Sequence, residues 1–132
     1  PSQIKFLLKR FRIMLEYDRE IEAKKWNIRG CELYRLHKYS DAIRAFESAI
    51  DIDKNFIDAL NNIGIVLSKS NYFDAIEFFD KVISIDNSYA DAWYNKGMAL
   101  ENTSSAKSKS YINKAMALGY KETGNASILK WK

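Results

Sequence analysis

Apolar and small residues recur at helical spacing along the chain, in blocks separated by short polar turns. The first block contains Trp26, Gly30, Leu33 and Leu36, and the second contains Ala42, Ile43, Phe46, Ala49 and Ile50. Spacings of three and four residues place such positions on one face of a helix. Each unit of the chain is therefore predicted to be a pair of amphipathic helices joined by a short turn. In the first unit, Ser40 is predicted to be the N-cap of the second helix.

The same pattern returns at a fixed period along the chain, of roughly 33 residues. Gly30, Gly64 and Gly97 occupy equivalent positions in successive units, and so do Phe46 and Phe79. A period of this length is typical of a solenoid, in which each unit packs only against its neighbours. The sequence thus predicts an all-α, helical-repeat solenoid of antiparallel helix pairs, with a binding surface rather than a catalytic pocket.

Small residues within these units are predicted to lie where two helices cross. Glycine at an interface lets two backbones approach closely, although it costs about 1 kcal/mol relative to alanine within a helix. We expect Gly64 and its equivalents to be packed against the second helix of each unit. The tryptophan and phenylalanine side chains are expected to fill the space between units.

The pattern W-x-x-x-G-x-x-[LY] followed by A-x-x-x-F-x-x-A resembles the tetratricopeptide repeat. The resemblance covers roughly residues 23–118, as repeats at 23–56, 57–89 and 90–119. In the third repeat, Ser108 stands in place of the usual alanine and Ile112 in place of the usual aromatic residue. The family's proline after the second helix is absent. The resemblance implies a right-handed solenoid, with capping helices expected at both ends.

The two ends leave alternatives open. Residues 1–22 form an amphipathic segment with an apolar stripe that includes Ile4, Leu8, Phe11 and Leu15. The segment either folds back as a cap on the first repeat, which we favour, or continues as one helix to residue 36 and protrudes. A protruding stripe would need a partner, most simply a second copy, so monomer and homodimer both remain open. Residues 120–132 are predicted to form a short C-terminal cap that buries Trp131.

Residues suited to catalysis or metal binding are sparse. His37 and Cys31 are the only histidine and cysteine, and a separation of six residues does not place them on one helix face. The run Asp51-Ile52-Asp53-Lys54-Asn55 lacks the glycine and glutamate that a calcium loop requires, so a helix-end turn is favoured. We predict no enzyme activity, no catalytic residues, no metal and no cofactor. The chain has no apolar run long enough for a membrane span, and the single cysteine suits the cytoplasm.

The resemblance also implies where a ligand would lie, because the first helices of such repeats line the concave side. The implied groove residues are Asn27, Cys31, Tyr34, Arg35, Asn61, Asn62, Ile65, Lys69, Tyr94, Asn95, Met98 and Glu101. Asparagine can both donate to and accept from a peptide backbone, while tyrosine and methionine offer adaptable apolar contact. A protein or peptide partner is expected, and no small-molecule substrate.

One kind of groove is argued against. Family members that bind the acidic tails of cytosolic chaperones use a clamp of lysine, arginine and asparagine, and only Asn62 matches it. Asn27, Cys31, Asp91 and Asn95 stand where the clamp would place its other residues.

Charge is segregated along the chain. Residues 1–30 carry a net charge of +4, residues 31–105 carry −5 and residues 106–132 carry +5. The alternative function is therefore binding of nucleic acid or an anionic surface through the basic ends, at Lys5, Lys9, Arg10, Arg12, Lys107, Lys109 and Lys114. Nucleic acid is disfavoured, because the N-terminal cations alternate with a stripe that the fold tends to bury. Self-association through the N-terminal helix is a further alternative.

Overall fold

Six helices follow one another along the chain in a computed structural model, which describes residues 1–121. They are α1 (Ser2–Arg35), α2 (Tyr39–Ile52), α3 (Ile57–Leu67), α4 (Tyr72–Ile85), α5 (Ala90–Ala99) and α6 (Ser105–Ala117). No strand occurs within residues 1–121. Helices α1 and α2, α3 and α4, and α5 and α6 pack as antiparallel pairs, and α2 and α4 also contact the first helix of the next pair. The predicted all-α repeat architecture is confirmed.

Close packing within each pair depends on the glycines of the period. A Cβ atom added to Gly30 would lie 2.4 Å from Cε1 of Phe46, and one added to Gly64 would lie 2.4 Å from Cε1 of Phe79. In the third pair, Ile112 takes the place of the aromatic ring, with its Cγ1 atom 2.7 Å from a Cβ at Gly97. The predicted crossing points are therefore confirmed.

The core between the helices consists of the small and aromatic residues that recur at the period. Five alanine and phenylalanine side chains of α2 and α4 are no more than 1% exposed, namely Ala42, Phe46, Ala49, Ala75 and Phe79. Each phenylalanine ring fills the space left by a glycine on the other helix of its pair. The two helices of each pair therefore pack closely along a continuous apolar contact.

The turns that end the first helices differ in their chemistry. His37 adopts a positive φ of 59°, its amide donates to Tyr34 O at 2.9 Å, and the amide of Lys38 donates to Leu33 O at 2.9 Å. These two bonds form a Schellman motif at the end of α1. The side chain of Asn71 accepts from the amides of Phe73 and Asp74 and caps α4.

The N-cap prediction at Ser40 is wrong. Helix α2 begins at Tyr39, two residues earlier than an N-cap at Ser40 implies, and Lys38 occupies the N-cap position without a side-chain hydrogen bond to the helix. The Schellman motif explains the difference, because it brings the chain straight from the end of α1 into α2. Ser40 therefore lies within the first turn of α2 and not ahead of it.

Helix α1 is continuous, so the favoured cap at residues 1–22 is wrong. Arg19 donates to the carbonyl oxygen of Ile52, the last residue of α2, at 2.9 Å, and residues 1–20 are all exposed. Residues 2–17, here called the N-terminal arm, therefore extend past the end of α2 by roughly 24 Å of helix. The physical reason is local, since residues 2–29 contain no proline or glycine that would end a helix.

Two tryptophan-related expectations are also corrected. The side chain of Trp26 is 41% exposed, because in residues 1–121 no helix pair precedes α1 and α2 to cover it. Trp93 is only half-buried, and its indole nitrogen donates to Asn87 O at 2.8 Å while its ring stacks on Tyr111. Leu36 is exposed as well, at the end of α1. The predicted cap at 120–132, with Trp131, lies outside the described residues except for Tyr120 and Lys121.

Candidate functional site

A cleft lies along the first helices of the three pairs, with a cavity of about 260 Å³. We call it the cleft, and its lining residues are Tyr34, Ile65, Ser68, Lys69, Tyr72, Phe79, Tyr94, Asn95, Met98 and Ala99. Tyr34 comes from the last turn of α1, Lys69 follows the end of α3, and Met98 lies near the end of α5. The cleft therefore opens where these helices end.

Six of the twelve groove residues expected from the resemblance line this cleft. They are Tyr34, Ile65, Lys69, Tyr94, Asn95 and Met98. Lys69 and Met98 are exposed, and Tyr34, Tyr94 and Asn95 are half-buried, whereas Ile65 is buried and forms part of the floor. Arg35 and Glu101 are exposed but do not line the cavity.

The other four expected residues are buried within the stack. Asn62 donates through Nδ2 to Oδ1 of Asn27 at 3.0 Å and contacts Sγ of Cys31 at 3.6 Å. In the next layer, Nδ2 of Asn95 donates to Oδ1 of Asn61 at 3.4 Å. These amide groups therefore join consecutive first helices across the repeat boundaries. Buried amides of this kind specify how the helices align, because an unsatisfied polar group would be costly there.

Four lining residues were missed by the sequence interpretation, namely Ser68, Tyr72, Phe79 and Ala99. The most accessible of the aromatic ones is Tyr72, the first residue of α4. Its signal in the sequence is the period itself, since Tyr39 stands one period earlier, at the start of α2. It was missed because the resemblance directs attention only to the first helix of each pair.

Aromatic stacking stiffens the far wall of the cleft. The rings of Tyr94 and Tyr120 are 4.1 Å apart between centroids and only 13° from parallel, and Tyr120 is buried. On the same helix, Lys96 forms an ion pair with Asp80, and its Nζ lies 4.3 Å from the ring centroid of Tyr111. Burial lowers the pKa of Lys96, but hydrogen bonds to Asp80 and Tyr111 outweigh it and raise the pKa overall. Helix α5 is thereby fixed against α4 and α6.

Cys31 has the chemistry of a core residue. Its side chain is fully buried, and burial raises the pKa of its thiol to about 12, against a weaker lowering effect of Arg35. The thiol therefore stays protonated at neutral pH, whereas nucleophilic cysteines need the thiolate. His37 is exposed, and its Nδ1 lies 2.9 Å from the hydroxyl oxygen of Tyr39. Among the residues that the structure describes, no three His, Cys, Asp or Glu side chains group so as to hold a metal ion.

The sequence and the fold of these helix pairs are both similar to those of known proteins. The tetratricopeptide repeat family model matches residues 23–56, which contain the second part of α1 and all of α2. The fold matches that of the crystal structure of MamA with a TM-score of 0.68 at 27% identity, covering 75% of this chain and 59% of MamA. Residues 23–56 therefore match the tetratricopeptide repeat family, and the fold is that of helical-repeat proteins of this kind.

Further tetratricopeptide repeat structures share the fold. The second such domain of Spaghetti (RPAP3), bound to the HSP90 peptide SRMEEVD, matches with a TM-score of 0.73 at 20% identity, over 80% of this chain and 98% of that domain. YrrB, described as having an unusual peptide-binding site, matches with a TM-score of 0.65 at 24% identity, over 74% of this chain and 52% of YrrB. The chain thus spans little more than half the length of MamA and YrrB. The search of curated proteins found no significant match.

Proposed function

We propose that this helical-repeat chain is a non-catalytic scaffold that binds a peptide segment of a partner protein in the cleft. The observation that carries the proposal is the cavity of about 260 Å³, which side chains from α1, α3, α4 and α5 line together. Three successive units must be stacked to build it. The cleft is therefore a product of the repeat architecture and not of any single helix pair.

The size and lining of the cleft favour a peptide side chain as its ligand. Its volume is below the roughly 300–1,000 Å³ that small-molecule sites occupy. Tyr34, Tyr94 and Met98 supply apolar contact, and methionine adapts its shape to different ligands. Lys69 is the charged residue among the lining side chains. We therefore propose a ligand with an apolar or aromatic anchor residue and an acidic residue beside it, next to Lys69.

The related structures support a peptide ligand as a class, since the Spaghetti domain holds a peptide and YrrB has a peptide-binding site. The acidic chaperone tail itself is not the proposed ligand. The positions of the carboxylate clamp hold Asn27, Cys31, Asp91 and Asn95, and Asn62 donates to Asn27 inside the stack. We expect the peptide SRMEEVD to show no saturable binding in fluorescence anisotropy at micromolar concentration.

Selection from a random peptide library with the whole chain as bait tests the proposal. Selected peptides should share an apolar anchor, and their affinity should fall at least roughly tenfold in Met98→Glu, because the carboxylate is forced into an apolar contact. Met116→Glu is the matched control, since Met116 is 45% exposed on α6 and Met98 is 43% exposed on α5. Equal affinity for both variants, or no selected peptide, would refute binding in the cleft.

A further inference from the structure

The N-terminal arm exposes more apolar surface than a folded monomer normally leaves in water. Nine large side chains are each 47–63% exposed, namely Ile4, Phe6, Leu7, Leu8, Phe11, Ile13, Met14, Leu15 and Tyr17. Together they amount to an area on the order of 900 Å². The largest apolar patch on a typical monomer is about 300–600 Å². The arm therefore has the character of a binding surface.

The apolar side chains are spread widely around the helix. At about 100° per residue, they occupy a sector of roughly 220°, from Ile13 through Phe11 to Leu8. Only Gln3 and Arg10 interrupt that sector, and the guanidinium of Arg10 lies over the Phe6 ring, 5.8 Å from its centroid. The long side chain of Arg10 can carry its charge towards the polar side while its stem stays in apolar surroundings.

The polar side of the arm points in the direction of the repeats. Lys5, Lys9 and Arg12 each stand roughly five helical turns before one of the buried residues Ala23, Asn27 and Gly30. Because a whole number of turns returns to the same face of a helix, the three cations and these three buried residues lie on the same face of α1. The other two buried residues of α1, Cys31 and Leu33, continue the lines of Ile13 and Leu15 near the two edges of the apolar sector. The centre of that sector, along Leu7, Phe11 and Met14, continues with the exposed residues Lys25, Arg29 and Glu32 and is therefore free of the repeats. A flat surface can approach the apolar side without meeting the rest of the fold.

We propose that the arm binds in the interface of an anionic lipid membrane, parallel to its plane. The arm carries Lys5, Lys9, Arg10 and Arg12 against a single acidic residue, Glu16. Amphipathic helices with a cationic polar face and a phenylalanine- and leucine-rich apolar face bind such interfaces. Insertion ends after Tyr17, because the apolar line continues with Asp18 and Glu22. No helix within residues 1–121 is long and apolar enough to cross the bilayer.

A second copy of the chain fits the arm less well than a lipid surface. One partner helix covers a strip of about 100°, which would leave Phe6, Ile13 and Tyr17 in water. Pairing two arms would also bring together two segments that each carry an excess of positive charge, whereas anionic headgroups neutralise it. This proposal does not depend on peptide binding in the cleft, and the two can fail separately.

Vesicle co-sedimentation tests the proposal, with phosphatidylcholine vesicles that either contain or lack phosphatidylserine. The whole chain should bind the anionic vesicles at least roughly tenfold more tightly, and salt should weaken the binding. Phe11→Glu should lower the binding at least roughly tenfold, because it places a carboxylate in the apolar sector. Phe73→Glu is the matched control, since Phe73 is 81% exposed on α4, away from the arm. Both positions are exposed, and circular dichroism verifies that each variant is folded.

Charge reversal separates lipid insertion from binding to any polyanion. Lys9→Glu/Arg12→Glu should weaken binding at least about 25-fold, at roughly fivefold for each cation, and Lys54→Glu/Lys81→Glu should not. Anionic binding that survives Phe11→Glu but not Lys9→Glu/Arg12→Glu would overturn insertion and indicate a polyanion such as nucleic acid. Absence of vesicle binding would also overturn the proposal. A dimer in sedimentation equilibrium that Phe11→Glu dissociates would then identify a second copy as the partner.

Discussion

The side-chain amide of Asn62 donates to Oδ1 of Asn27 at 3.0 Å, across the boundary between the first and second helix pairs. Both side chains are buried, with exposed fractions of 0% and 1%. Replacing Asn62 with alanine should lower the free energy of unfolding by about 2–4 kcal/mol, because it removes a buried hydrogen bond and leaves a small cavity. Urea denaturation measures the change. Asn55→Ala, at an exposed turn position, should change stability by less than about 0.5 kcal/mol, and equal losses for both variants would contradict this role of Asn62.

Gly64→Ala should destabilise the chain although alanine is the better helix former. Its Cβ would lie 2.4 Å from Cε1 of Phe79, which is buried and cannot move into solvent. We expect a loss of about 1–3 kcal/mol, which exceeds the gain of up to about 1 kcal/mol from helix propensity. The double variant Gly64→Ala/Phe79→Leu makes room for the methyl group. Its loss should be smaller than the sum of the two single losses in thermal or urea denaturation, and strict additivity would argue against the proposed clash.

His37→Gly should stabilise the chain by roughly 0.5–1 kcal/mol, because the left-handed conformation at a φ of 59° is unfavourable for a residue with a Cβ atom. Gly119 ends α6 with a φ of 91°, in the same kind of turn, and a Cβ added there would meet no atom within 4 Å. Gly119→Ala should therefore lower stability by about 1 kcal/mol through backbone strain alone. Opposite shifts of the thermal midpoint are expected, and two shifts of the same sign would show that the turns are not equivalent.

Cys31 should react with thiol reagents only when the chain unfolds. Burial raises the pKa of its thiol from 9.0 to about 12 in the folded state. Because the folded-state pKa is the higher one, the stability gained by keeping the thiol neutral is present below pH 9 and is lost as the pH rises from 9 towards 12. Labelling with a chromogenic disulfide at pH 8 should be slow in buffer and fast in urea. Fast labelling of the folded chain would refute burial of the thiol.

The repeat period made most of the fold predictable, because it identifies equivalent positions whatever their chemistry. Gly64 and Phe79 could be paired from sequence alone, since each has an equivalent one period earlier, at Gly30 and Phe46. The path of residues 1–22 could not be decided in this way. The arm repeats the apolar pattern of a second helix, and that similarity favoured a cap, but the uninterrupted helix-forming sequence determined the outcome.

The candidate site was predictable only in part. The resemblance to repeat proteins pointed to the first helices, and Tyr34, Lys69 and Met98 from that set line the cleft. It could not show that Asn27 and Asn62 are used inside the stack. An asparagine on a first helix can turn towards the ligand or towards the next helix. Its direction depends on the distance between the two helices, which the sequence does not give. Tyr72 was missed for the related reason that its helix was assumed to face away.

The continuity of α1 means that one rigid rod carries both Phe11 of the arm and Tyr34 of the cleft. The stretch between them corresponds to roughly 35 Å of uninterrupted helix. No flexible joint lies along that distance, and the bond from Arg19 to Ile52 fixes the rod to the second helix. Whatever holds the arm therefore also sets the direction in which the cleft opens and its distance from the point of attachment. A partner that binds in the cleft would therefore meet it at a defined distance from the surface that holds the arm, and at a defined angle to that surface.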